Sequence, residues 1–218
     1  MLVFRSTLFM LLSILLGLIL CAVFYISSLF FDYWWVALLL CVPGLAWNRN
    51  LLRMGHSCDA MGSSRTRDKM LVIIKDKRFG TMGICAIIFA VLFRYIFIAE
   101  TIYRLPFEGV MPILLIAPVS GYVTMAVGAV TSKPVSLRER RISRLGYFDM
   151  AIVLLVCFGI SWALIGLRAA VLTCLLQASA GILLSVFISA RLGGLTDEIL
   201  GLFAEIGTLF YWFITLMW

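Results

Sequence analysis

The chain has 218 residues, 63% of them hydrophobic and only 13% charged, with 18 basic against 11 acidic side chains and a formal net charge of +7. With a mean hydropathy of +1.10, these values exclude a soluble globular domain, in which about 25% of residues are charged. The long apolar runs do not alternate as barrel strands do, so an all-α polytopic membrane bundle is expected, with residues 1–218 as a single membrane-embedded domain.

A membrane-spanning helix needs roughly 20 apolar residues. In chain order, about seven spans are expected near 7–31, 33–48, 82–100, 111–131, 148–166, 169–190 and 198–218. The second is short and is interrupted by Pro43-Gly44. The first is too long for a cleaved signal peptide and lacks a small-residue cleavage site, so it is expected to remain. Five of the six cysteines sit in apolar runs, and no C-x-x-C pair occurs, so they read as small hydrophobes.

Between the second and third spans lies a polar stretch, 49–81, carrying Arg49, Arg53, Arg65, Arg67, Lys69, Lys75, Lys77 and Arg78. The loop near 132–147 adds Lys133, Arg138, Arg140, Arg141 and Arg144. Arg5 precedes the first span and Arg191 the last, and seven crossings place all four regions on one face. Only Arg94, Arg104 and Arg168 lie elsewhere. The positive-inside rule makes that face cytoplasmic, with the N-terminus inside. Its plainest uses are topology and attraction to anionic membrane lipid.

Within the polar stretch, Met70, Ile73 and Ile74 recur at helical spacing among basic residues. A short amphipathic helix is expected there, lying at the interface and capped by Ser63 or Ser64. It leads into KDKRFGTMG, where Gly80 and Gly83 flank Thr81 at the start of the third span. A glycine turn at a helix N-terminus, beside Lys75, Lys77 and Arg78, suits an anion such as phosphate.

The last span opens with RLGGLTDEILGLFAEIG, Arg191–Gly207. Thr196 is a good N-cap, and Asp197 and Glu198 in the first turn complement the helix dipole. Glu205 needs another explanation. It shares a face with Glu198 about 10 Å further along the helix, where a carboxylate costs about 2.5–3.5 kcal/mol on insertion scales. Gly194, Gly201 and Gly207 would let a neighbouring helix or ligand come close. Asp59, Asp68 and Asp76 lie on the same side of the membrane. Carboxylates beside Lys and Arg suggest Mg²⁺ and a phosphorylated substrate, hence a metal-assisted phosphoryl-group transferase. His56, the single histidine, could orient a nucleophile or act as a base near neutral pH.

Two motifs carry a family resemblance. RTRDKMLVIIKDKRFGTMG (Arg65–Gly83) resembles the R-D-R-M-L-x-I-M-K-D-S-R-x-G-T-x-G signature of the cobalamin synthase family, the adenosylcobinamide-GDP ribazoletransferases. GGLTDEILGLFAEIG resembles that family's C-terminal G-G-x-T-G-D-x-L-G-A-x-x-E. The resemblance implies transfer of the cobinamide-phosphate moiety of adenosylcobinamide-GDP to α-ribazole or its 5′-phosphate, with release of GMP, in a bacterial or archaeal inner membrane. It implies Mg²⁺ as cofactor, held by Asp59, Asp76, Asp197, Glu198 and Glu205. Catalysis would fall to Asp59, Asp76, Glu198 and His56. Substrate binding would fall to Arg67, Lys75, Arg78, Gly80, Thr81, Gly83, Gly193, Gly194 and Thr196. Nucleic acid is not an expected partner; a homo-oligomer or contacts with other cobalamin-assembly enzymes are compatible.

The family's acidic motif H-x-D-G-x-x-D-x-x-D-G falls on Asn50 to Ala60. There Leu52 and His56 replace acids, Arg53 replaces a glycine, and only Asp59 keeps its carboxylate. Gly121 stands where the family commonly shows arginine. A family member without catalysis, serving as a binding or assembly subunit, and a small polytopic transporter are the alternative readings.

Overall fold

The computed structural model describes residues 3–46, 49–63, 66–76, 78–133, 135 and 146–217. Arg65, Lys77, Arg138, Arg140, Arg141 and Arg144, and a cap from Ser64, lie outside these, as does the side chain of Arg5. Nine helices occur among the described residues: α1 (Val3–Ser28), α2 (Tyr33–Ala46), α3 (Arg49–Ser63), α4 (Arg67–Ile73), α5 (Thr81–Arg104), α6 (Phe107–Thr131), α7 (Tyr147–Ile165), α8 (Leu167–Leu192) and α9 (Asp197–Thr215). No strand longer than a single bridge occurs among them. The all-α polytopic bundle is therefore what forms.

Six helices, α1 and α5 to α9, are long and apolar enough to cross a membrane. The second expected span differs. Its helix α2 has 14 residues, about 21 Å at 1.5 Å per residue, short of a hydrocarbon core of about 30 Å. The polar stretch after it is not a loop, because residues 49–63 form α3. Both helices run antiparallel to α5. Tyr33 meets Tyr103 with ring centroids 5.5 Å apart at one end, and at the other Asp59 reaches the first turn of α5. The second crossing is thus shared between two helices, and α3 forms the half that carries polar residues. Such breaks occur where the backbone lines protein or a polar cavity and not lipid.

The hub is α6. In its most apolar stretch 78% of residues are buried, against 22–28% for α1, α5, α7 and α8. Those four turn one face to the bundle and leave Phe89, Ile96, Leu155, Leu175 and Leu183 exposed, as lipid-facing helices do. Exposed Phe30, Phe31, Trp34, Trp35 and Tyr103 gather at the end where α1 passes to α2, the usual place of interfacial aromatics.

The hub's main partner is α9. Gly121 of α6 lies so close to it that a Cβ there would strike Thr208 Oγ1 and the Ala204 carbonyl oxygen. No arginine fits at this position, and glycine is what lets α6 and α9 touch. Gly121→Ala should cost about 1–3 kcal/mol through overpacking, read as a lower thermal unfolding midpoint in nanodiscs.

The amphipathic helix appears as α4, residues Arg67–Ile73. Its N-cap is Thr66, not Ser63 or Ser64, and it makes no side-chain capping bond. Ser63 instead ends α3 and donates to Asp59 Oδ1 at 3.4 Å. Met70 and Ile74 are buried against Leu192, Leu195 and Ile199. That packing anchors α4 to the C-terminal motif.

Candidate active site

One end of the bundle collects both motifs. Asp59 comes from α3, which packs against α5 because Gly55 sets its backbone close to Ile87 and Gly83. The Asp59 carboxylate is buried and accepts the Gly80 N–H at 2.8 Å and the Gly83 N–H at 3.3 Å. The first amides of a helix have no partner within it. Here Asp59 supplies one and so complements the positive end of the helix dipole. The two N–H groups expected to bind an external anion are thus taken by the protein's own carboxylate. A Cβ at Gly80 would collide with the Asp59 oxygens, and one at Gly83 would lie 2.7 Å from the Gly55 carbonyl oxygen. The glycines admit Asp59.

The other side of this end is the turn between α8 and α9. Gly193 closes α8 in the left-handed region at φ 71°, a conformation that glycine adopts without strain. The Arg67 guanidinium carbon lies 2.5 Å from where a Gly193 Cβ would stand. Next, Leu195 N–H donates to the Lys133 carbonyl at 2.7 Å, and Val135 N–H donates to the Leu195 carbonyl at 3.1 Å. This short ladder ties the chain after α6 to the head of α9, with Gly194 pressed on the Lys133 carbonyl. The Arg53 stem of α3 lies over Gly201, its Cβ 2.5 Å and Cδ 2.8 Å from a Cβ there. The first motif therefore meets the second through Arg67 on Gly193.

Thr196 is the N-cap residue of α9, as expected, but makes no capping bond. Its Oγ1 is buried and has no hydrogen-bond partner. Asp197 and Glu198 form the first turn beside it, both half-buried. His56 stacks on Phe79 with centroids 4.1 Å apart, and its Nδ1 is buried without a partner. Asp76 is exposed between α4 and α5, and its Oδ1 accepts the Arg78 N–H at 3.2 Å. Lys75, Arg78 and Thr81 are exposed on the same side.

Glu205 lies deeper. It forms an ion pair with Arg94 of α5, and their side chains are only 1% and 6% exposed. Arg94 was expected only as an exception to the charge pattern. Its place in an apolar run was the signal that it had a buried partner.

The donors for Mg²⁺ are few. That ion needs near-octahedral oxygen ligands, yet Asp59 accepts from Gly80, Gly83 and Ser63 and Glu205 is held by Arg94. Among the described residues no three His, Cys, Asp or Glu side chains converge to hold a metal. The described residues offer no all-protein cage, but Mg²⁺ commonly takes one or two carboxylates together with substrate phosphates and water, and Asp197 and Glu198, side by side in the first turn of α9, are the pair that would hold it there.

The sequence model of a family described as cobalamin-5-phosphate synthase matches residues 4–216. A protein of Acetivibrio thermocellus named adenosylcobinamide-GDP ribazoletransferase is 30% identical over 206 residues, covering 91% of this chain and 81% of the relative. A protein of the same name in Caldanaerobacter subterraneus is 26% identical, covering 68% of this chain and 60% of the relative. One in Klebsiella pneumoniae is 29% identical, covering 72% and 64%. The chain thus spans less than two thirds of the length of these last two relatives. No solved structure matches it. With nearly its whole length matched and both motifs packed at one end of the bundle, the chain belongs to the cobalamin-5-phosphate synthase family.

Proposed function

We propose that this chain joins α-ribazole, or its 5′-phosphate, to the cobinamide phosphate of adenosylcobinamide-GDP and releases GMP. The observation that carries this reading is the contact of Arg67 with Gly193. It brings the two family motifs together at one polar end of an otherwise apolar bundle. The family match over residues 4–216 and the names of the relatives supply the substrates.

In this reaction a ribazole hydroxyl oxygen attacks the phosphorus attached to cobinamide. The bond from that phosphorus to the bridging oxygen breaks, and the electron pair leaves with GMP. The hydroxyl proton needs an acceptor, and Glu198 in the first turn of α9 is the group proposed. His56, its ring fixed on Phe79, would orient the nucleophile. The polar end would face the cytoplasm of a bacterial or archaeal inner membrane, in keeping with its basic surface.

The test is turnover by the chain in nanodiscs with adenosylcobinamide-GDP and α-ribazole. Adenosylcobalamin and GMP should appear in equal amounts. Glu198→Gln should lower kcat by about 100-fold while KM for adenosylcobinamide-GDP holds. If wild-type protein yields no GMP beside a relative that works in the same lipid, the transferase reading is wrong, and a binding role takes its place.

A further inference from the structure

We propose that the end of the bundle opposite the motifs holds an acyl chain of a zwitterionic phospholipid, in a cavity between α1, α2, α5 and α6. This site lies apart from the transferase reading and does not rest on it. Helix α5 starts at the Gly80–Gly83 turn and ends at Arg104, so a cavity lined by Ile102 and Leu105 sits at its far end.

The cavity measures about 220 Å³. Its floor is Phe24, Val36 and Val110, which are 2%, 1% and 1% exposed. An apolar cavity of about 150 Å³ stays dry and takes up benzene, so this one has room for the end of a hydrocarbon chain. Water has little to bond there. Ser28, in the lining, donates its hydroxyl to the Tyr25 carbonyl at 2.9 Å. Among the described residues, no lining side chain keeps a buried polar atom without a partner. The rings around the space are already paired: Phe24 stacks on Phe107 at 5.0 Å, and Tyr33 tilts against Tyr103 at 5.5 Å. A flexible chain follows the gap they leave better than a flat ring would.

The mouth faces lipid. Phe31 and Phe107 belong to the lining yet are exposed, and Phe30, Trp34 and Trp35 are exposed beside them. Aromatics gathered in this way mark the membrane boundary, so what reaches the mouth is a phospholipid. Charge then selects its head. Exposed Asp32 and Glu108 each adjoin a lining residue, and Arg104, next to Leu105, is paired with Glu100. This acidic rim repels an anionic head and suits one that carries an amine.

The test places the full chain in nanodiscs of mixed phosphatidylethanolamine and phosphatidylglycerol. Either lipid in turn carries a diazirine at the end of one acyl chain, and the peptides labelled on irradiation are mapped by mass spectrometry. The ethanolamine probe should label Phe24, Val36 and Val110, which lipid outside the bundle does not touch. Both probes should label Leu155, Leu175 and Leu183, which are exposed on the lipid-facing side. The glycerol probe should label the floor about threefold less. Ile102→Phe fills the cavity from one wall and should cut floor labelling by about fivefold or more, while the three leucines stay labelled as before. If that variant does not fold, Leu105→Phe serves. A floor left unlabelled while the leucines are labelled, or labelled equally in the filled variant, would overturn the site. Stronger floor labelling by the glycerol probe would overturn the choice of head.

Discussion

Glu205→Ala is expected to destabilise the folded bundle by about 3–5 kcal/mol, because removing one partner leaves the other charge buried and uncompensated. Arg94 would be the stranded group. Its Nη1 already lacks a partner, and the pair with Glu205 is its one salt bridge among the described residues. Arg94→Ala should cost a similar amount by stranding Glu205. The double variant Arg94→Met with Glu205→Met should recover most of the loss, since apolar replacement of a whole buried pair is often neutral. Chemical unfolding in detergent, followed by helical circular dichroism, gives all three values. Turnover by the double variant then separates two roles for Glu205. If the carboxylate only joins α9 to α5, the restored bundle should turn over near the wild-type rate. If it also holds a metal or the nucleophile, a stable but inactive protein results.

The second large effect is expected at Asp59. Asp59→Ala should cost about 2–3 kcal/mol, the sum of a lost cap and of helix amides left without an acceptor. Asp59→Asn keeps one acceptor oxygen and should cost about half as much. The Gly83 N–H, which has no other acceptor within its own helix, should exchange with deuterium much faster in the alanine variant. That variant should also behave in a way wild-type protein does not. With the carboxylate gone, the N-terminus of α5 becomes open to small anions, and added phosphate should raise its unfolding temperature while leaving wild type unmoved. A phosphate response in wild type as well would mean that these amides are available to substrate.

The apolar spans were legible because length and hydropathy alone decide them, and their boundaries shifted by only a few residues. The juxtaposition of the two motifs was legible too, since charge placement set both on one face. The helix α3 was missed. Its two glycines, its arginines and its low hydrophobicity made residues 49–63 read as loop. Leu51, Met54, Cys58 and Met61 nevertheless recur at helical spacing, and that was the available signal. Asp59 and Glu205 were recognised as unusual acids but given to a metal. Their partners are long-range: Gly80 is 21 residues from Asp59, and Arg94 is 111 from Glu205. No local pattern links such pairs, and a capping carboxylate looks like a ligand until the amides it faces are seen. Arg53 was read as a replacement for a motif glycine; its stem lying over Gly201 shows that it packs α3 against α9.

The distance in sequence between Arg94 and Glu205 also governs how the chain can be made. Synthesis runs from the N-terminus, so α5 meets the lipid with its arginine while the glutamate, 111 residues downstream, does not yet exist. During that interval the arginine carries an insertion penalty of about 2.5–3.5 kcal/mol with nothing opposite it. The apolar residues of α5, whose best 18-residue stretch keeps a mean hydropathy of 2.4 even with Arg94 counted in it, must hold the segment in place until α9 enters. The last helix to emerge is therefore the one that neutralises an early one. A nascent chain released before α9 would expose an unmatched cation in the bilayer, a mark by which membrane quality control could tell an unfinished copy from a complete one.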